Sequence, residues 1–396
     1  MKDRLYIFNQ YLTEIQANII SAEKIEDNYH ILLDKTIFYP AGLGGQKGDI
    51  GTINGKEVIK AYEKNSRIYH VVKNRIDSDS VLLKINWENR LHIMQEHTCQ
   101  HLVSACFYRL YAIDTLSFHA SDDHITIDFD TEDIEERQIK EVEDLANFII
   151  QNNLKVKAYF PSDKELENIS LRREPKVEKN LRVIEIDGFD YSPCGGTHVS
   201  RTGELGLIKI VDWAKQNGKL RIFVKVGRDA LEDYRIKNEM FKYISKDLSA
   251  NTNNLLEKYT SFKKKNQSLE EAFSKLKSSY LDLYAGNLIV QAKKNPKNFY
   301  SKVFDDLDFS QVNLLVKKLE DENIILALYK YENEICNFSI SINGNLKADL
   351  KKIKSYLEDK FILKAGGSEK FLQGLIISND KDEVLKFFND DLEKLL

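Results

Sequence analysis

Two short stretches constrain this chain more than anything else in it: Glu96-His97-Thr98-Cys99-Gln100-His101 and, far downstream, Cys194-Gly195-Gly196-Thr197-His198. His97 and His101 stand four residues apart in a run that reads as helix. Side chains at that spacing lie one above the other on the same face, so both imidazoles can aim at one point. Cys194 and His198 share the spacing, but Gly195-Gly196 between them breaks a regular helix and allows a fold tight enough for thiolate and imidazole to converge. Three imidazoles and one thiolate are borderline-soft donors, a set that suits tetrahedral zinc better than magnesium or calcium. Taken singly, each half has an ordinary explanation, a helical histidine pair or a turn with a buried thiol. Together, in a chain with eight His and four Cys, they predict a metal site.

The rest of the sequence says what could surround such a site. At 396 residues the chain is long for one core, so two or three domains are expected. A composition of 42% hydrophobic and 30% charged residues is ordinary for a globular protein, and no apolar run reaches the ~18 residues that span a membrane. The start, Met1-Lys2-Asp3-Arg4-Leu5-Tyr6, lacks the apolar centre of a signal peptide. Four scattered cysteines point to a reducing compartment, hence the cytoplasm. A net charge of −4 gives no bulk attraction to nucleic acid. Local basic clusters at Arg172-Arg173-Lys176-Lys179-Arg182 and Lys263-Lys264-Lys265 read equally well as solvated faces.

Residues 1–88 alternate as strands through Gln16–Lys24, Tyr29–Asp34 and Arg67–Val72, with Asn54-Gly55 suited to a type I′ hairpin turn, and predict a small antiparallel β-barrel. Between the strands, Gly42, Gly44, Gly45, Gly48 and Gly51 mark a loop whose backbone can approach a ligand closely. A tight barrel turn accounts for it equally. Asn89 to Leu110 reads as the histidine-bearing helix, and residues 89–228 as an α+β domain around the metal site. From Asp229 the pattern becomes long helix. Leu255, Tyr259, Phe262, Asn266, Leu269, Phe273, Leu276, Tyr280 and Leu283 form an a/d seam, so 229–292 reads as a helical hairpin or coiled-coil linker. Residues 293–396 return to alternation and read as an α/β domain with a Gly-rich loop from Lys364 to Gly374.

With those residues quoted, the chain resembles the alanyl-tRNA editing proteins in their long form, free-standing relatives of the editing domain of alanyl-tRNA synthetase. Gly44-Gly45-Gln46-Lys47-Gly48-Asp49 is similar to the family's barrel loop, Trp87-Glu88-Asn89-Arg90 with His97-Thr98 and His101 to its helix signature. Phe189-Asp190 through His198, with Thr202-Gly203-Glu204-Leu205-Gly206, is similar to the synthetase second additional domain. The tail with Gly366-Gly367 and Gln373-Gly374 resembles the domain that closes alanyl-tRNA synthetase (DHHA1-like). Leu43 and Ser368 depart from the family pattern.

The resemblance implies a zinc-dependent hydrolase acting in trans on alanine tRNA mischarged with serine or glycine. His97, His101, Cys194 and His198 would hold Zn2+. Thr98 and Thr115 are the hydroxyl candidates for reading a seryl side chain in catalysis. Gly44, Gly45, Gln46, Gly366 and Gly367 are candidate substrate contacts. tRNA is the expected partner, with no membrane and a possible homodimer through the helical and C-terminal region. A zinc protease is excluded because Thr98, not Glu, follows His97, and a phosphoesterase because only Asp122-Asp123-His124 stands where Asp-His-His is needed. The remaining alternative is a non-catalytic zinc-containing module for tRNA binding or oligomerisation.

Overall fold

The computed structural model describes residues 3–42, 45–121, 124–174, 181–305 and 307–396. The chain divides into two compact units, Met1–Ile244 and Ser245–Leu396.

The first unit opens with β1 (Glu14–Ile25), β2 (Asn28–Leu33), β3 (Gly51–Ile53), β4 (Lys56–Lys64), β5 (Arg67–Val72) and β6 (Ser80–Ile85). They close into a barrel in the order β1-β2-β5-β4-β3-β6, as the alternating sequence predicts. Inward-pointing Ile31, Ile53, Val58, Val72, Val81 and Leu83 fill it. Asn54 and Gly55 both take positive φ, 50° and 75°, which is the type I′ turn that suits the right-handed twist of the flanking strands.

Helix α1 (Trp87–Tyr111) follows, capped by the Asn86 side chain and ended by Ala112 in the left-handed region. From Ile93 to Phe107 nearly every residue is buried, so the helix is a central rod rather than an amphipathic surface element. Arg90 joins it to the barrel. Its guanidinium is fully buried and donates to both Asp49 carboxylate oxygens, to Gln10 O at 2.7 Å and to Ile37 O at 2.6 Å. A buried charge is tolerated when it is paired and hydrogen-bonded, and here these bonds lock the β2–β3 loop onto α1.

Around α1 lie β7 (Thr115–Ala120), β8 (Ile125–Phe129), helix α2 (Glu136–Gln151), β9 (Val156–Tyr159), β10 (Val183–Ile186), β11 (Asp190–Pro193), β12 (Ile208–Gln216) and β13 (Lys219–Val226). They form a sheet ordered β12-β13-β8-β7 and a smaller one ordered β11-β10-β9. Leu102, Val103, Phe107, Ile127, Phe129, Val142, Ile222 and Val224 share one core. The mixed α+β class predicted from sequence therefore holds. Strands β7 and β11 are short and interrupted by polar residues. Helix α3 (Arg228–Asp247) completes the segment.

The second unit begins on α4 (Leu255–Lys293), then β14 (Phe299–Val303), α5 (Phe309–Lys318), β15 (Ile325–Glu332), β16 (Ile335–Ile342), α6 (Leu350–Lys360), β17 (Ile362–Gly367), β18 (Phe371–Ile377) and a terminal helix from Lys381. Its sheet runs β14-β15-β16-β18-β17 with only β14 and β15 parallel. The expected α/β domain is thus mixed and mostly antiparallel. Tight turns explain this: β15 and β16 are joined through Asn333 and Glu334, both at positive φ, and such a connection can only set neighbours antiparallel. The Gly-rich loop expected from Lys364 is likewise a hairpin, with Gly366 opposite Gln373 and Gly367 opposite Leu372 on the sheet edge. Along α4 the seam residues Tyr259, Phe262, Leu269, Phe273 and Leu276 are exposed.

Candidate metal centre

His97 and His101 project from the buried middle of α1, and the Cys194–His198 loop descends onto them from the end of β11. The four donor atoms lie within 4.8 Å of one another. His97 Nε2 and His198 Nε2 each stand 3.4 Å from Cys194 Sγ. Ligands bonded at about 2.0–2.3 Å in a tetrahedron stand about 3.3–3.8 Å apart, a range that holds the two sulfur–nitrogen separations, and the four donors together could hold a metal ion. Ring centroids of the three histidines are 4.4–5.2 Å apart.

On His97 and His198 the nitrogen turned away from Cys194 is held by a different partner. Gln46 Oε1 lies 2.8 Å from His97 Nδ1. An amide oxygen only accepts, so Nδ1 carries the hydrogen and Nε2 presents its lone pair to the centre. Gln46 is itself held, its Oε1 accepting from Thr197 N and its Nε2 donating to Thr197 Oγ1 at 2.6 Å. Thr98 Oγ1 is 3.2 Å from His198 Nδ1 and accepts from Val199 N at 3.2 Å. His101 Nδ1 is buried without a partner among the described residues. Gly196 is required by contact: a Cβ there would overlap the His97 ring and Gln46 Oε1, whereas one at Gly195 would meet open space.

Electrostatics suits the same chemistry. Burial first, then the neighbouring imidazoles, hold His198 well below the ordinary imidazole range, and His97 shifts the same way. His101 is pushed to about 3 by burial and by Arg172, Arg173 and Arg182. All three are therefore neutral, the form that binds metal. Burial raises the Cys194 thiol, opposed by the Gly196 N–H and by Arg182, so the thiolate is stabilised chiefly when a cation joins it.

The structure gathers His97, His101, Cys194, His198, Thr98 and Gln46 in one place. Thr98 is fully buried, its oxygen engaged behind His198, and Thr115 donates to Ser104 Oγ at 2.7 Å. Gln46 was singled out as a substrate contact, yet both its polar atoms are taken up by His97 and Thr197. At Gly45, at φ 78°, an added Cβ would stand 3.3 Å from the ring of Phe118, which stacks on His97. Gly44, Leu43, Asp122, Asp123, Lys176 and Lys179 lie outside the described residues. Gly366 and Gly367 belong to the second unit and are exposed.

Sequence reasoning left Arg182 in a basic cluster that read equally well as a solvated face. It is instead 7% exposed and donates through Nη1 to Cys194 O at 3.0 Å and Gly196 O at 2.7 Å, bracing the ligand loop. Arg172 is also not solvated: it pairs with Asp190 and Ser192. The available signal was position, since Arg182 leads directly into the apolar strand that pairs with the one preceding Cys194.

Residues 181–223 match the Threonyl and Alanyl tRNA synthetase second additional domain. Across its whole length the chain is 31% identical to the alanyl-tRNA editing protein AlaX-L of Pyrococcus horikoshii, covering 98% of that protein. The chain belongs to the alanyl-tRNA editing proteins. Alanine–tRNA ligases are similar as well: that of Thermofilum pendens is 29% identical over 94% of this chain, which spans 42% of the ligase. Among solved structures, the C-Ala domain from Aquifex aeolicus alanyl-tRNA synthetase matches 25% of this chain at 18% identity with a TM-score of 0.21. As a member of the editing family the chain carries its histidine and cysteine donors on two elements from distant parts of one unit. Among the described residues no helix is long and apolar enough to cross a membrane.

Proposed function

We propose that this protein is a zinc-dependent hydrolase that removes serine, and also glycine, from mischarged alanine tRNA in trans. The observation that carries the proposal is the convergence of His97, His101, Cys194 and His198 in a chain aligned end to end with an editing protein. Zinc bound there supplies a Lewis acid beside an ester that is already activated. The chain's own residues supply order. Gln46 sets the His97 tautomer, Thr98 holds His198, and Arg182 fixes the loop that carries Cys194. Discrimination rests on a polar group that pairs with the seryl hydroxyl and is left unpaired by alanine. Thr115 remains the candidate for that contact, while the bonds of Thr98 favour a positioning role.

The deciding experiment is deacylation of serine-, glycine- and alanine-charged alanine tRNA by the purified, zinc-loaded protein. Rapid loss of serine with alanine retained supports the reading, and equal rates on both overturn it. Thr98→Val is expected to slow every substrate alike, whereas Thr115→Val is expected to slow serine by the ~1–3 kcal/mol of a lost hydrogen bond and spare glycine. A second reading is favoured by the donor count: four protein ligands leave no open position, a property of structural zinc. Zinc content without any deacylation identifies that non-catalytic tRNA-binding module.

The C-terminal part, residues 229–396 with a DHHA1-like portion from 293, is assigned tRNA affinity and homodimerisation, supported by its exposed α4 seam and by the lack of a metal-ligating cluster there among the described residues. Ending the chain at Arg228 is expected to leave slow hydrolysis with weaker tRNA binding, and sedimentation of both forms tests the dimer. The cytoplasm, where tRNA is charged, is the proposed location.

A further inference from the structure

Three arginines of the first unit use the same edge in the same way. The planar Nε/Nη2 edge of a guanidinium presents two parallel N–H groups that match a pair of oxygens. Arg90 gives that edge to Asp49, Arg172 to Asp190 and Arg221 to Asp128. Arg182 is more than nine-tenths buried, and its Nη1 is engaged with the carbonyls of Cys194 and Gly196. Its Nε and Nη2 are buried with no hydrogen-bond partner among the described residues. A buried cation with an unmet fork is destabilising unless something with two oxygens arrives.

The geometry points to the Arg182 fork as the subsite for a two-oxygen anion beside the metal centre. The position narrows its identity. Nη1 is anchored on the carbonyls that flank Gly195, and the Arg182 charge acts on His97, His101, His198 and Cys194, so the guanidinium lies beside the four metal donors. This inference rests on the proposed ester hydrolysis and deepens it. In that reaction water adds to the acyl carbon, the bond to the ribose oxygen breaks, and that oxygen leaves with a proton. The acyl group departs as a carboxylate, with its second proton released to solvent. The reaction thus creates a planar two-oxygen anion where the substrate had a neutral ester, and Arg182 favours that charge as it develops. The same chemistry is offered by the terminal phosphodiester of the tRNA, and the test separates the two sources.

The probes are L-serine, serinol, which keeps the amine and hydroxyl but lacks the carboxylate, and adenosine 5′-monophosphate. Binding to the zinc-loaded full chain is measured by calorimetry for wild type and Arg182→Lys, which retains charge and removes the fork. Zinc content and thermal midpoint are read in parallel. Serine is expected to bind wild type at least tenfold more tightly than serinol, and Arg182→Lys to erase that ratio with zinc retained. Nucleotide binding that depends on Arg182, without serine binding, assigns the fork to the tRNA phosphate. Serine no tighter than serinol, with no Arg182-dependent nucleotide binding, overturns the proposal and leaves the fork to internal water. If Arg182→Lys fails to fold, Arg182→Gln takes its place in the same comparison. Deacylation distinguishes the two levels. An inactive protein that still binds serine through Arg182 removes the editing reading and keeps the subsite. An active one indifferent to Arg182→Lys in rate and serine binding does the reverse.

Discussion

The two units bury different things. Among the described residues the first buries Asp49, His70, Arg90, Glu96, His97, His101, Asp128, Arg182, Asp190 and His198. The second buries no charged side chain, and its buried polar residues are Ser245, Ser339, Ser341 and Asn343. An apolar core such as that of Phe338, Ile340, Ile353, Leu357 and Phe388 needs only shape and area. Ionisable groups need partners placed to a few tenths of an ångström, and they are retained where that precision serves chemistry. The contrast teaches that the first unit is built around its polar interior, whereas the second is built to be packed and to offer surface.

The strongest test of that contrast removes the centre. A Cys194→Ala/His198→Ala double variant is expected to lose zinc entirely, read by elemental analysis, with the second unit's unfolding transition unmoved. Unchanged zinc binding would end the assignment.

Next in size is acid sensitivity. His70 is fully buried in the barrel between Thr36 Oγ1 and Ile31 O, and burial lowers its pKa from 6.5 to about 4. The unfolded chain therefore binds a proton that the folded barrel refuses. Stability is complete above pH 6.5, declines as pH falls toward 4, and is reduced by about 3 kcal/mol below that. Denaturant unfolding at pH 7 and pH 4 should show this loss in the first unit. A His70→Gln variant should be flatter over the same range. Equal acid sensitivity of the second unit would break the comparison.

Gln46→Leu keeps bulk but removes the acceptor for His97 Nδ1. Zinc affinity is expected to fall about 10–100-fold, measured by chelator competition. An unchanged affinity would return Gln46 to the role of substrate contact.

The smallest effects compare glycines. Gly45→Ala meets both a left-handed φ and the Phe118 ring, and is expected to destabilise by about 1 kcal/mol. Gly366→Ala, with open space around its missing Cβ, should be close to neutral, although Gly367→Ala would overlap Phe371 O and should not be. Thermal midpoints of the three variants sharpen the difference between a glycine facing the site and one on a sheet edge.

Much of this protein was legible in its sequence because the signals are local. Alternation over six to twelve residues marks β1, β2 and β5, Asn54-Gly55 marks the turn beyond β3, and i,i+4 spacing marks His97 with His101. Ligand chemistry also follows from residue type alone. What tertiary structure decided is how polar groups far apart in the chain meet. Gln46 reaches His97 across 51 residues and Thr197 across 151, and no window of sequence holds both ends. Thr98 faces His198 rather than solvent for the same reason. Arg182 is the sharpest case. Its neighbours in sequence make it one of a basic run, but the pairing of Val183 with Pro193 draws it under the Cys194 loop and out of water. Periodicity tells which face a residue takes, whereas hydrogen-bond partners depend on which faces the folded chain brings together.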